Sequence, residues 1–292
     1  MKNLKKVLAL VLACVMVFGT VTMAAGTGYP DVAEDAAYAE AVKTLSALNI
    51  IKGDENGNFN PDATITRAEM AKILCTMLNT GDLATTGTIF ADVPAAHWAS
   101  GYIAYAQQLG YIDGYGDGNF GPEDPVTYNQ VLKLVMATLG YTYMANEYGG
   151  YPTGYLYVAA NAEVTKGATG SGDEPAARST VAIIVNNAMN TPLMERTTYG
   201  TESLWSILDG GIGSGNVQRE FKTLLTKQKI FLVEGYVSDT YLQDTSMKDG
   251  FIDVVITKNL KIDVEDKLGA TGSGHCNKAN VDATLAGDDA TD

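Results

Sequence analysis

The sequence predicts an α+β chain, mainly α-helical in its first two thirds and followed by a small β-rich C-terminal region. Three observations carry this. A motif of turn, extended step and capped amphipathic helix recurs at a fixed spacing. The apolar residues after each cap fall at helical period. Beyond residue 230 the pattern changes to short β-branched and aromatic runs between Gly and Asp turns.

The organising stretch is Asn58 to Glu69. Thr66 and Glu69 form the two ends of a capping box, in which the Thr66 hydroxyl accepts from the Glu69 N–H and the Glu69 carboxylate accepts from the Thr66 N–H. Met70, Ile73, Leu74, Met77 and Leu78 then line one helix face. Sixty-one residues later Asn119-Phe120-Gly121-Pro122 opens the same sequence of events, ending in Thr127-Tyr128-Asn129-Gln130. The offset holds without a gap from Asp31 against Asp92, through Gly53 against Gly114, to Leu78 against Leu139. A third, degenerate copy follows, with Gly167 matching Gly114, Arg178 matching Arg67, and Val181, Ile184 and Val185 repeating the apolar face. Recurrence at this period is the signature of a repeat architecture.

These residues resemble the S-layer homology family of bacterial surface proteins. Copy one carries Tyr29-Pro30-Asp31-Val32 and Ile65-Thr66-Arg67-Ala68-Glu69; copy two carries Phe90-Ala91-Asp92-Val93 and His97-Trp98. The resemblance spans roughly residues 29–190. It implies three repeats packed about a pseudo-threefold axis. It also implies grooves between repeats that bind a secondary cell-wall polymer, often bearing a pyruvate ketal. By the same resemblance Arg67 contacts the anionic group, with Arg178 as its counterpart in copy three. Trp98 would form the aromatic wall, Asp31 and Asp92 would shape the groove, and Gly53 and Gly114 would make its tight turn. Two departures limit this. Ala37 aligns with Trp98, and Tyr128 aligns with Arg67, so at most two grooves carry an Arg.

The residues themselves support only part of that picture. The capping box accounts for Thr66 and Glu69 structurally. An arginine at the first helical position opposes the helix dipole, so helix stability does not select Arg67. Standing in an exposed first turn beside free N–H groups, Arg67 is expected to complete an anion site. The cluster Tyr141, Tyr143, Tyr148, Tyr151, Tyr155 and Tyr157 suits sugar stacking but is expected mostly to pack between repeats. Asp54-Glu55-Asn56-Gly57-Asn58 is expected to be a turn, because its Gly is displaced from the calcium-loop position and no Glu stands twelfth.

At the N-terminus Lys2, Lys5 and Lys6 precede an apolar run from Val7 to Val21 and small residues to Ala25, the pattern of a secretory signal peptide. Its removal takes three lysines and no acid, moving the formal charge from −14 to −17. So acidic a chain disfavours nucleic acid and anionic lipid, and no membrane association is expected after cleavage. Cys75, within the apolar helix of copy one, is expected to be a buried structural thiol and Cys276 a free thiol in the tail, with no disulfide between them. The two histidines, His97 and His275, form no metal or catalytic pattern, and neither a nucleophile elbow nor a P-loop is present. No enzyme, cofactor or metal is expected.

The expected organisation is a signal peptide over 1–25, repeats over 26–80, 88–140 and 141–190, and a connection over 191–215. A helix with a small antiparallel sheet follows over 216–268, then a disordered tail or truncation stump over 269–292. The function expected is non-covalent anchoring of a secreted protein to the cell wall of a bacterium of Gram-positive type. The partner is a secondary cell-wall polysaccharide attached to peptidoglycan, with self-association open. Two alternatives stand beside it: the anchor of a longer wall hydrolase or polysaccharidase, and a self-assembling lattice protein.

Overall fold

The computed structural model describes residues 28–199, 202–207, 223–227, 233–240, 251–259 and 273–277. The signal-peptide stretch therefore lies outside the described residues. Helices dominate the first part: α1 (Ala39–Ala47), α2 (Arg67–Met77), α3 (Ser100–Gln108), α4 (Tyr128–Thr138), α5 (Thr142–Glu147), α6 (Thr153–Asn161) and α7 (Arg178–Met189). None of the described helices is long and apolar enough to cross a membrane.

The long helices start where the capping chemistry dictates. In α2 the Thr66 hydroxyl accepts from Glu69 N–H at 3.2 Å and Glu69 accepts from Thr66 N–H at 2.8 Å. Thr127 and Gln130 repeat the box in α4. In α7 the N-cap is Ala177, which supplies no side-chain bond. What replaces it is a neighbour. The N–H groups of Arg178 and Ser179 donate to the carbonyls of Ala63 and Pro61 in the first copy.

That exchange recurs. Arg67 and Ala68 N–H donate to Asp124 and Pro122 of the second copy, and Tyr128 and Asn129 N–H to Glu174 and Gly172 of the third. Each helix start is thus tied to the loop of the next copy, in cyclic order, and the first-turn donors that a helix leaves open are filled by backbone. Single β-bridges join the same partners: Thr66 with Pro125, Thr127 with Pro175, and Thr64 with Ala177. Helix packing follows the same rule, with α2 on α3, α4 on α6 and α7 on α1.

A continuous apolar core runs through all three copies. Phe59 and Phe120, from the matching Phe-x-Pro steps, are fully buried and tilt against Tyr29 at 5.7 Å and Phe90 at 5.3 Å. Burying each such ring contributes about 1.5–3 kcal/mol. Met70, Ile73, Leu74 and Met77 are all buried, as their spacing requires.

Beyond α7, β1 (Met194–Tyr199) pairs antiparallel with β2 (Glu202–Ile207), so the stretch 191–215 contains a hairpin rather than an irregular connection alone. It is attached where the second copy meets the third: Met194 N–H donates to Leu139 C=O and the Tyr141 hydroxyl to Pro192 C=O. The short helix α8 (Leu224–Lys227) puts Leu224 and Leu225 into the core cluster. Strands β3 (Val233–Thr240), β4 (Phe251–Asn259) and β5 (Ser273–Asn277) pair antiparallel in the order β3-β4-β5. The third strand thus falls in the stretch expected to be disordered, whereas the run Leu260 to Val264 lies outside the described residues, as do Asn216, Val217 and Phe221.

Candidate functional site

The site is built from backbone outward. In copy two the Asp92 carboxylate accepts from Phe120 N–H at 2.8 Å and Gly121 N–H at 2.7 Å. In copy one Asp31 accepts from Phe59 N–H at 2.8 Å and Asn60 N–H at 2.6 Å. Each Asp therefore fixes the strand-like step whose carbonyl receives an arginine. Asn60 and Gly121, at matching places, both have positive φ (57° and 70°), which Asn and Gly tolerate best. Gly53 and Gly114 are needed for a different reason than the expected tight turn. A Cβ on Gly53 would meet the Tyr29 ring at 2.5 Å, and one on Gly114 would meet the Asn119 carbonyl at 2.4 Å.

Onto these loops the arginines fold. Arg67 Nε donates to Phe120 C=O at 2.8 Å and Nη2 to Asp113 C=O at 2.9 Å, with the guanidinium over the Tyr115 and Phe120 rings. Arg178 does the same to copy one, donating to Phe59 C=O at 2.8 Å and Lys52 C=O at 3.0 Å over the Phe59 ring. Arg67 is only 8% exposed, and the N–H groups beside it are already bonded to copy two. The expectation of an exposed first turn with open N–H donors is therefore corrected: Arg67 is a buried clamp between copies. Burial lowers its pKa, opposed by Tyr115, Asp124, Asp92 and Asp113, and a guanidinium stays charged regardless.

Arg178 is half-buried and borders a cleft of about 500 Å³. Three copies contribute to it. Glu69 and Lys72 come from α2, Lys52 from the loop after α1, Trp98 from the turn before α3, and Arg178 from α7. Trp98 is 47% exposed, stacks with His97 at 5.8 Å, and has the Lys72 ammonium 5.9 Å from its ring. The ion pairs among the described residues are His97–Glu123, Lys133–Asp113 and Lys166–Glu163, which leave Lys52 and Lys72 without a carboxylate partner there. Unpaired cations beside an exposed indole suit an anionic sugar: charge to hold the acid, ring face to stack on the pyranose. Sequence reasoning singled out Trp98, Glu69 and Arg178 but missed Lys52 and Lys72, whose cue was their place next to Gly53 and one turn after Glu69.

The other two junctions are variations. At the second, Arg67 replaces Arg178, Gln130 replaces Glu69, and Lys133 replaces Lys72, but Lys133 is paired to Asp113 at 2.9 Å. Tyr151, two residues before α6, stands where Trp98 stands before α3. Its phenol is pushed up first by burial and then by Asp173, against a hydrogen bond from Thr127 and the charges of Lys133 and Arg67. At the third junction Tyr128 takes the arginine position, packed so closely that a Cβ on Gly170 would meet its ring at 2.8 Å, while Thr180 and Ile183 replace the polar floor. The three junctions thus differ: the first sets Lys52, Lys72 and Arg178 beside Glu69 and Asp82, the second pairs Lys133 with Asp113, and the third puts Tyr128 and Ile183 at the arginine and lysine positions.

The Asp54 loop closes on itself, its carboxylate accepting from Asn56 N–H, Asn58 N–H and Asn60 Nδ2, which lowers its pKa, the Asn58 bond contributing most. Among the described residues no group of three or more His, Cys, Asp or Glu could hold a metal ion. The tyrosine cluster departs from expectation. Tyr141 and Tyr155 are buried, whereas Tyr143, Tyr148, Tyr151 and Tyr157 are half-exposed.

Helix starts clamped each to the next copy, in cyclic order, define a repeat module closed on itself by backbone and arginine contacts. The S-layer homology domain profile matches residues 28–71 and 89–132, and the chain belongs to the proteins that carry this domain. It is 36% identical over 201 residues to a cell surface protein of Thermoanaerobacter kivui, covering 67% of this chain and 26% of that protein. It is 30% identical over 231 residues to a surface layer protein of Brevibacillus choshinensis, covering 77% of this chain and 19% of that protein. A shorter match, 29% over 97 residues, is to an amylopullulanase of Thermoanaerobacterium thermosulfurigenes, covering 33% of this chain and 5% of that protein. The chain thus spans about a quarter or less of the length of these relatives.

Proposed function

We propose that residues 28–190 form a three-repeat, pseudo-threefold unit that anchors a secreted protein non-covalently to the bacterial cell wall. The ligand is an anionic secondary cell-wall polysaccharide attached to peptidoglycan. The observation that carries this reading is the cleft in which unpaired Lys52 and Lys72 and half-buried Arg178 face the exposed Trp98. The cyclic hydrogen bonds through Arg67, Tyr128 and Arg178 support the threefold arrangement, with residues 141–190 as its third member. Family membership and the surface-layer and cell-surface relatives support an anchoring or S-layer role. Of the residues named from sequence, Trp98, Arg178 and Glu69 border the principal groove. Thr66, Asp31 and Gly53 hold its frame, and Arg67, Asp92 and Gly114 belong to the second groove.

The test is co-sedimentation of the full chain with native wall sacculi and with sacculi stripped of their secondary polymer. Binding to native sacculi alone is expected. Equal binding to both would make peptidoglycan the ligand and overturn the polymer reading. A lattice role is a second reading, favoured by the surface layer relative. It requires sheets to form as the chain is concentrated. An anchoring role within a longer enzyme is favoured by the amylopullulanase match over 97 residues.

A further inference from the structure

We propose that His97 positions Trp98 in the principal groove only while its imidazole is neutral, so that polymer binding there weakens as the pH falls. This rests on the polymer reading above and adds to it a residue that does not itself line the cleft.

One fixed donor settles where the ring carries its proton. The Ala99 N–H donates to His97 Nδ1 at 3.1 Å, and a backbone amide nitrogen can only donate. Nδ1 is therefore the acceptor. In the neutral ring the proton sits on Nε2, which donates to Glu123 Oε1 at 3.2 Å. The His97 side chain is 15% exposed and stacks on the Trp98 indole, centroids 5.8 Å apart and planes 29° from parallel. Ala99 is the N-cap of α3 and supplies no side-chain bond of its own. His97 and Ala99 flank Trp98, so the bond between them spans the residue that forms the groove wall.

The same ring reaches a second element. Glu123 stands between Pro122 and Asp124, whose carbonyls accept from the Ala68 and Arg67 N–H groups at the start of α2. His97 thus joins the turn carrying Trp98 to the loop that holds α2, and α2 brings Glu69 and Lys72 to the cleft. Neither other copy has this device. The places of His97 and Trp98 are taken by Ala36 and Ala37 in copy one, and by Gly150 and Tyr151 in copy three.

Protonation sets the two partners of the ring against each other. An imidazolium carries an N–H at both nitrogens. At Nδ1 it faces the Ala99 N–H, donor against donor, and that bond is lost. At Nε2 it keeps Glu123, whose carboxylate favours the charged ring. Lys72 comes from α2, its ammonium 5.9 Å from the Trp98 ring centroid, and opposes a second positive charge beside the same indole. The charged form therefore keeps the contact to Glu123 and gives up the one that spans Trp98. Affinity is full where the imidazole is neutral and falls as the pH drops through the range in which histidines charge.

The experiment titrates the full chain calorimetrically with acidic polysaccharide released from sacculi of the producing organism, at about pH 8 and about pH 5.5. The parent should bind about three- to tenfold more weakly at the lower pH, as expected for one hydrogen bond. His97→Asn cannot charge, yet its side-chain oxygen accepts from the N–H two residues on. It should bind within about twofold of the parent at the higher pH and equally at both. His97→Ala should bind at the higher pH about as weakly as the parent does at the lower. His275 is present in all three chains, and melting curves at both pH values check that each is folded. A second readout needs no ligand. With Trp205→Phe, Trp98 is the one tryptophan, and its emission should fall with pH when residue 97 is His and stay level when it is Asn. Binding that is strong but level with pH overturns the switch and leaves the polymer reading intact, as does an equal pH response in His97→Asn. Parent-like binding by His97→Ala overturns the positioning role. Emission that does not depend on residue 97 overturns the contact with Trp98. A parent that binds at neither pH overturns the polymer reading and the switch with it.

Discussion

Replacing Arg67 with Ala should unfold the unit more readily, not merely weaken ligand binding. The side chain is almost fully enclosed and donates charge-assisted bonds to Phe120 C=O and Asp113 C=O at 2.8 and 2.9 Å. Each such bond contributes about 1.5–3 kcal/mol, and its loss leaves a carbonyl short of a donor. The guanidinium also lies 4.7 and 4.5 Å from the Tyr115 and Phe120 ring centroids, an arrangement worth about 0.5–2 kcal/mol. These terms share one side chain and do not add in full, so a loss of about 3–5 kcal/mol is expected. Arg67→Lys keeps the charge but not the two-pronged geometry, and should recover less than half. Equilibrium urea unfolding of the full chain, followed by circular dichroism at 222 nm, measures this. A loss below about 1 kcal/mol with native ellipticity would refute the clamp and return Arg67 to the surface role.

Other substitutions probe the frame. Thr66→Ala removes the Glu69 N–H acceptor and should cost about 1 kcal/mol, read by the same unfolding curve. Gly114→Ala puts a methyl against Asn119 C=O and Phe90, and should cost about 1–3 kcal/mol, with Gly116→Ala, where a Cβ meets nothing, as the strain-only control. The Cys75 thiol is pushed up to about 12 by burial, so the native thiolate is scarce at pH 8.5. In a Cys14→Ser/Cys276→Ser background, Cys75 should resist a thiol reagent at that pH until urea unfolds the chain, where the pKa returns to about 8.5; prompt native labelling would contradict its burial.

How much was legible in sequence differs by level. The capping boxes at Thr66 and Thr127 and the apolar faces behind them could be read directly, because both are local and depend on residues three or four apart. The partners of Arg67 could not. Its bonds go to backbone carbonyls 46 and 53 residues away, and a carbonyl carries no sequence identity. The same lack of signal hid the exchange of first-turn N–H groups between copies, which made an apparently open anion site a filled one. Lys72 was overlooked because a lysine on a helix surface looks the same whether it faces solvent or a cleft made by two other copies. Tyr151 was legible only after α6 fixed its register against Trp98.

The central claim is that the cleft of Lys52, Lys72, Arg178 and Trp98 binds an anionic wall polymer. It is tested most directly by calorimetric titration of the full chain with the released acidic polysaccharide, comparing Lys72→Gln and Trp98→Ala with Lys133→Gln. Lys72 and Trp98 reach the cleft without clamping any loop, so their loss should leave the melting temperature near that of the parent. Each should weaken binding about tenfold or more, while Lys133→Gln, whose charge is already paired with Asp113, should change affinity little. Parent-like binding by both cleft variants, or a larger loss in Lys133→Gln than in Lys72→Gln, would contradict the assignment.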